Sequence, residues 1–382
     1  MSSIRLGEIG KISMCKRILK SQTNEFSGIP FYKISTFGGT PTVYIDEKIY
    51  REYKEKYSYP KKGDILISAA GTIGKTVIFD GEDSYFQDSN IVWIENDESK
   101  VTNQFLYYFL QTNPFITTNG STIKRLYNDN LRDTKIPNVP SIQQQNQITD
   151  ILGTLDQKIQ INNQINQELE AMAKTLYDYW FVQFDFPDPN GKPYKSSGGK
   201  MVYHPDLKRE IPEGWGVEKL SHFLTIKNGK DHKHLQDGKF AVYGSGGIMR
   251  TVADYLYSGE SILFPRKGTL NNVMYVNEKF WTVDTMFYSE VNKNTSALYV
   301  FYSVKDIDFN KLNTGTGVPS MTSSILYDLN IIVPEENILE KFNTVVKRNY
   351  ETIKLNNIQN QELTQLRDWL LPMLMNGQVK VE

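Results

Sequence analysis

The sequence predicts an α+β protein: two β-rich domains related by an internal repeat, separated by two long helices that pair with each other. Three observations carry this. The chain repeats itself at an interval of about 194 residues. Residues 1–140 and 217–334 are short β-branched and aromatic runs punctuated by Gly, Pro, Asn and Asp. Residues 141–181 and 335–376 largely lose that punctuation and carry an apolar heptad instead.

The repeat is plainest in residues 162–169 and 356–363, which share six of eight positions. Upstream, residues 62–67 answer 258–263, and Gly71-Thr72-Ile73 answers Gly268-Thr269-Leu270. Gly120-Ser121-Thr122 answers Gly315-Thr316-Gly317, and each is followed by an apolar run ending in Pro140 or Pro334. Each match is weak alone, but chance is a poor explanation for ordered matches over more than 100 residues.

Within residues 1–140 the strand-like runs are 31–34, 64–68, 76–79 and 90–94, with a helix expected over 103–110, ending before Pro114. Residues 217–334 repeat that texture. In the first long helix the seam runs Ile148, Leu152, Leu155, Ile159, Asn162, Asn166, Leu169, Ala173, Leu176 and Trp180, at alternating spacings of 4 and 3. The second follows from Phe342 to Leu374, with Asn356 and Asn360 at the matching polar positions and with Asn349 and Arg367 as further breaks. At 1.5 Å per residue, some 40 residues reach roughly 60 Å. A stripe that long is not left in water, so the helices pair. Asn at a seam costs stability and is tolerated where it sets register; the abundance of Asn throughout the chain is the competing, purely compositional explanation. Residues 182–216 form a connector that Pro and Gly should keep free of regular structure, with Trp215 pinning it to the second domain.

Composition narrows the function. Lys and Arg number 43 against 44 Asp and Glu in 382 residues, a formal charge of −1, which argues against a uniformly basic binder while leaving room for local patches. The single cysteine, Cys15, excludes an internal disulfide and a Cys-rich zinc module, and suits a reducing compartment. No apolar run approaches the roughly 18 residues of a membrane span, and residues 1–8 lack a signal-peptide core, so a soluble, cytoplasmic protein is expected.

Several motifs invite catalytic readings and fall short. Residues 69–76 resemble a phosphate-binding loop, but Ala69 stands at its first position and a strand follows where a helix N-terminus is needed. Pro187-Asp188 with Asp206 and Lys208 mimics a nuclease signature but lies in or beside the connector. His232 and His234 lack an evident third metal ligand. Lys16 and Arg17 could lower the pKa of Cys15, although a lone thiol is more often inert. The default for this chain is therefore binding, with no catalytic residue and no metal.

The binding candidates sit in Gly-punctuated loops at equivalent points of the two copies. In the first they are Lys33, Ser35, Thr36, Thr72, Lys75, Lys124, Arg125 and Arg132; in the second, Lys230, His232, Lys233, Tyr243, Ser245, Arg250, Arg266, Lys267, Thr269, Asn271 and Ser320. Arg and Lys neutralise phosphates, short polar side chains bond to base edges, and Gly lets backbone approach a duplex.

With these features in hand, the chain resembles the specificity (S) subunits of bacterial type I restriction–modification systems, the HsdS family. The resemblance runs over nearly the whole length. It is carried by Trp180-Phe181-Val182-Gln183-Phe184-Asp185-Phe186-Pro187, by residues 191–200 and 207–215, and by the tail Leu366-Arg367-Asp368-Trp369-Leu370-Leu371-Pro372. It implies two target recognition domains in inverted orientation on an antiparallel helix pair, each reading one half of a split, asymmetric site in double-stranded DNA. The helices would set the gap and dock methyltransferase (M) subunits, expected to number two. The M subunits would carry S-adenosylmethionine, restriction (R) subunits would join through the complex, and this chain would hold no cofactor. Against this stand two other classes: a fused nuclease or NTPase, which ATP turnover or metal-dependent cleavage by the chain alone would favour, and a scaffold that never touches DNA.

Overall fold

The computed structural model describes residues 3–114, 126–292, 297–315 and 317–379. Two compact units divide the chain: Met1–Asn162 with Ile358–Glu382, and Asn163–Asn357. The division falls inside both long helices, so each unit comprises one β-rich region and roughly half of each helix.

In unit 1 an antiparallel sheet orders the strands Gly10–Ser13, Ile91–Asn96, Ile65–Ser68 and Thr76–Ile78. All four residues of Ile65–Ser68 are buried, because both faces of this strand are covered. On one side lies the helix Asn103–Gln111, whose Phe105, Leu106, Phe109 and Leu110 are buried. Thr102 caps it, its Oγ1 accepting from the Phe105 amide at 3.2 Å. Opposite it, Leu66 and Trp93 join a second core around Tyr85 and Phe86. That core supports a sheet of four short strands, Thr23–Asn24, Tyr44–Ile45, Ile29–Tyr32 and Tyr85–Phe86.

In unit 2 a six-stranded sheet orders Leu224–Asn228, Met286–Val291, Tyr257–Pro265, Met274–Thr282, Asp237–Gly244 and Gly247–Val252. The helix Ala297–Lys305 is buried along most of its length, as the predominance of Val, Leu and aromatic residues requires.

The long helices are Ile142–Tyr177, continued by a π-helical turn Asp178–Val182, and Glu336–Met375. Within each unit their segments pair antiparallel. In unit 1, Asn162 Nδ2 donates to Asn360 Oδ1 at 2.9 Å and to Gln359 Oε1 at 2.8 Å. In unit 2, Asn356 Nδ2 donates to Asn166 Oδ1 at 2.8 Å, and Asn166 Nδ2 to Asn357 Oδ1 at 2.9 Å. The repeat equates Asn162 with Asn356 and Asn360 with Asn166, so each unit holds a copy of the same amide pair. The other polar seam residues also find partners. Arg367 meets Asp156 at 2.8 Å, which also accepts from the Tyr108 hydroxyl, and Asn349 Nδ2 donates to the Leu169 carbonyl at 3.3 Å.

The connector differs from the sequence expectation. Residues 182–216 contain a β-hairpin, Met201–His204 with Arg209–Pro212, and Phe184, Phe186, Ile211 and Trp215 are all buried in the core of unit 2. Asp185 accepts from the amide and hydroxyl of Ser196 at 2.7 and 2.6 Å. Pro and Gly mark tight turns here, with Gly191, Gly198 and Gly214 at positive φ, while the apolar residues between them anchor the segment. Cys15 is likewise no reactive thiol: it is buried, and burial pushes its pKa up to about 12 despite the neighbouring Lys16 and Arg17.

Candidate nucleic-acid interface

In unit 2 the strand Tyr257–Pro265 runs into a turn at residues 266–272, and three other segments close on that turn. The Arg266 and Lys267 amides both donate to the Thr285 carbonyl, at 2.8 and 3.2 Å. Met321 N donates to the Arg266 carbonyl at 2.9 Å, and Gly268 N to the Pro319 carbonyl at 3.0 Å. Lys267 and Ser320 form an isolated antiparallel bridge. From the third side, Asn272 Nδ2 donates to the Ser245 carbonyl at 2.8 Å. Gly268 sits at φ +92°, and a Cβ on it would lie 2.9 Å from Ser245 Oγ, so glycine is required both by conformation and by the approaching loop.

Ser245, Arg266, Lys267, Thr269 and Ser320, five of the sequence candidates, thus share one surface. The side chains of Arg266, Lys267 and Thr269 are exposed, and the Arg266 guanidinium lies 5.8 Å from the Phe287 ring centroid. Lys230, His232 and Lys233 occupy a loop tied to the same region: the Lys230 amide donates to the Thr282 carbonyl and its carbonyl accepts from Trp281 Nε1, both at 2.9 Å. Val283, next along, donates to the Tyr243 carbonyl. His232 Nδ1 is buried with no hydrogen-bond partner, and the flanking His234 lies 3.9 Å from Asp231. Asn271 is turned to Asp308, its Nδ2 donating at 3.1 Å.

Unit 1 builds the same junction from different side chains. The Ala69 amide donates to the Asn90 carbonyl at 2.8 Å, and Leu126 N donates to the Ala69 carbonyl at 2.8 Å. These are the bonds that Arg266 makes with Thr285 and Met321, displaced by the repeat. The phosphate-loop-like residues 69–76 are a strand-to-strand turn, with Gly71 and Gly74 at positive φ and the Lys75 amide donating to Ser68 Oγ. The turn meets residues 33–39: Lys75 Nζ donates to the Phe37 carbonyl at 2.6 Å, and a Cβ on Gly71 would lie 3.3 Å from Ile34. Thr36 closes its own turn, its Oγ1 accepting from the Lys33 amide at 3.1 Å, whereas Ser35 and Thr72 are exposed. Lys124 and Arg125 lie outside the described residues.

Three candidates are placed otherwise than a reading surface requires. Tyr243 is buried, its hydroxyl donating to Glu278 Oε1 at 2.7 Å; burial, then that bond, pushes its pKa well up. Its strand position turns the ring into the core although the nearby Ser245-Gly246 is a surface turn. Arg250 Nη2 is held by Asp237 Oδ1 at 2.8 Å and the Leu235 carbonyl at 2.9 Å, bracing its own hairpin. Arg132 lies in the last turn of the short helix Asn128–Asp133, its stem against Gly7 and its guanidinium on Asp129 at 2.9 Å. Ile248 and Met249, which the sequence did not single out, are exposed in the strand after Ser245, an aim that depends on strand register.

Among the described residues no group of three or more His, Cys, Asp or Glu side chains is placed to hold a metal ion, and no helix is long and apolar enough to cross a membrane.

A family model described as the type I restriction modification DNA specificity domain matches residues 1–171 and 212–365. A putative type I restriction enzyme specificity subunit of Haemophilus influenzae is 53% identical over 180 residues, 46% of each chain; for that relative the match spans about half its length. The MjaIX specificity subunit of Methanocaldococcus jannaschii is 28% identical over 357 residues, 84% of this chain and 78% of its own. Among solved structures, a type I restriction–modification S subunit from M. genitalium superposes with a TM-score of 0.61 at 16% identity, covering 98% of this chain and 95% of that one, which supports the fold.

Proposed function

The chain belongs to the family of type I restriction–modification DNA specificity domains, and from that premise we propose that it is the subunit that reads the DNA target. Each unit reads one half of a bipartite, asymmetric site in double-stranded DNA, and the helices dock M subunits, two per chain, through which R subunits join. The subunit itself is non-catalytic, needs no cofactor and works in the cytoplasm.

The observation that carries this reading is the repeated junction. Two copies of one backbone scaffold, Ala69 with Asn90 and Leu126 and Arg266 with Thr285 and Met321, present loops of different composition. A conserved scaffold with divergent tips is what two unlike half-sites require. M-subunit docking is supported by apolar side chains left exposed on the helix segments: Ile151, Ile161 and Trp369 in unit 1, and Ile165, Met172 and Leu355 in unit 2. The near-neutral charge favours a clamp shared with partner subunits, since electrostatic affinity grows with the phosphates neutralised.

The test is sequencing of methylated bases in a host expressing this chain with its M partner, followed by methylation assays on the assembled complex. A split motif is expected. In the double variant Arg266→Ala, Lys267→Ala, methylation should fall by about ten-fold or more and recognition of one half-site should relax while the other is retained. Methylation without a split motif, or a variant with unchanged affinity and preference, contradicts the reading.

A further inference from the structure

The hairpin of Asp237–Gly244 and Gly247–Val252 carries a feature that phosphate binding leaves unexplained. Gly244 pairs with Gly247 and Tyr243 with Ile248, but Val242 then pairs with Arg250, so Met249 is an extra residue in its strand. Regular pairing would send Ile248 and Met249 to opposite faces. The β-bulge breaks that alternation, and Ile248 and Met249 stay 64% and 59% exposed. Both lie in the strand that follows the turn at Ser245, which Asn272 ties to the turn bearing Arg266 and Lys267. Large apolar side chains are thus presented to solvent next to exposed cations, on the edge strand of the six-stranded sheet.

We propose that Ile248 and Met249 are a base-reading element of unit 2 that recognises thymine through its 5-methyl group. This rests on the DNA-reading function above and adds the chemical group read. Exposed cations supply phosphate contacts, which apolar side chains cannot make. With the neighbouring Arg266 and Lys267 on phosphates, Ile248 and Met249 face base edges, and in the major groove the thymine methyl is the apolar group displayed there. Of the acidic side chains nearby, Asp237 is engaged by Arg250 and Glu278 by Tyr243, while Asp284 is exposed beside Thr285. In unit 1 the corresponding turn meets the partly buried Ile34, so methyl reading belongs to one half-site.

The test uses the assembled methyltransferase complex and duplexes in which uracil replaces thymine in one half-site at a time. The half read by unit 2 is the one whose recognition relaxes in the Arg266→Ala, Lys267→Ala variant. Uracil there should weaken binding about four-fold for each recognised methyl group removed, and uracil in the other half should not. Ile248→Ser with Met249→Ser should abolish that difference while keeping the other half-site's preference; Ile248→Val with Met249→Leu should retain it. A unit 2 half-site without thymine, indifference of the wild-type complex to uracil, or a serine variant as uracil-sensitive as wild type overturns the proposal while a split motif still stands. A wild-type complex with no sequence preference overturns the DNA-reading function and this proposal together.

Discussion

The loop faces of the two units differ more than the frames that carry them. In unit 2 the turn after Tyr257–Pro265 is buttressed by an eight-residue and a six-residue strand of the same sheet. In unit 1 its counterpart, residues 69–75, is approached by residues 33–39, which follow a four-residue strand in a separate sheet. The backbone bonds of the junction are nonetheless the same, because they come from the duplicated strand and its neighbours. Divergence is confined to what sits outside that frame, where a change of side chain or loop length does not disturb the core. Such a division lets the loops of one unit change without refolding the frame that carries them.

Substitutions at equivalent positions probe this comparison. The largest effect is expected in the central strands, where Phe264 and Ile67 are fully buried. Phe264→Ala should cost about 3–5 kcal/mol and Ile67→Ala about 2–5 kcal/mol. Hydrogen exchange should localise each loss to its own sheet; equal loss of protection in both sheets would break the two-frame description.

Next come the junction glycines. Gly71, at φ +65°, lies in the left-handed region that an alanine enters for about 1 kcal/mol, whereas Gly268, at φ +92°, lies beyond it and faces Ser245. Gly268→Ala should therefore lower the melting temperature more than Gly71→Ala, by about 1 kcal/mol of extra cost, and, under the proposed function, relax recognition of the half-site read by unit 2. Similar losses at both would mean that the two turns are equally tolerant.

Smaller effects are expected at the amide pairs. Asn166 both donates to Asn357 and accepts from Asn356, whereas the buried Oδ1 of Asn162 has no hydrogen-bond partner. Asn162→Leu removes an unsatisfied polar atom as well as its bonds, so it should be milder than Asn166→Leu by about 1 kcal/mol in denaturant titrations. The reverse order would argue that the pair in unit 1 is the stronger one.

The smallest response is expected at Cys15. With its pKa raised to about 12 by burial, the thiol should stay protonated and resist alkylation at pH 8 in the folded protein, then react once unfolded. Rapid native-state alkylation would show that the core around Tyr85 opens.

Much of the frame was legible because its signals are periodic. The heptad from Ile148 to Trp180 and the repeated residues 162–169 and 356–363 announce the helices and the duplication. Strand positions followed from β-branched runs, with boundaries shifted by a few residues, such as Ile29–Tyr32 in place of 31–34. The site was legible as loops but not as side chains. Tyr243 and Ser245 look alike as neighbours in a polar, Gly-rich stretch, yet one faces the core and the other the junction. Ile248 and Met249 read as ordinary strand residues until the bulge exposes both. The connector misled for a related reason: Pro and Gly density speaks of turns and says nothing of whether Phe184, Phe186 and Trp215 find a core.

By itself, then, the amino-acid order determined the duplication, the helix seams and the choice of Asn at equivalent seam positions, since these are matters of spacing along the chain. Tertiary structure decided which amides meet, which loops converge on residues 266–272, and which of two adjacent side chains points outward. Those outcomes depend on register and on contacts between residues far apart in sequence, and a single-residue slip in a strand reverses them.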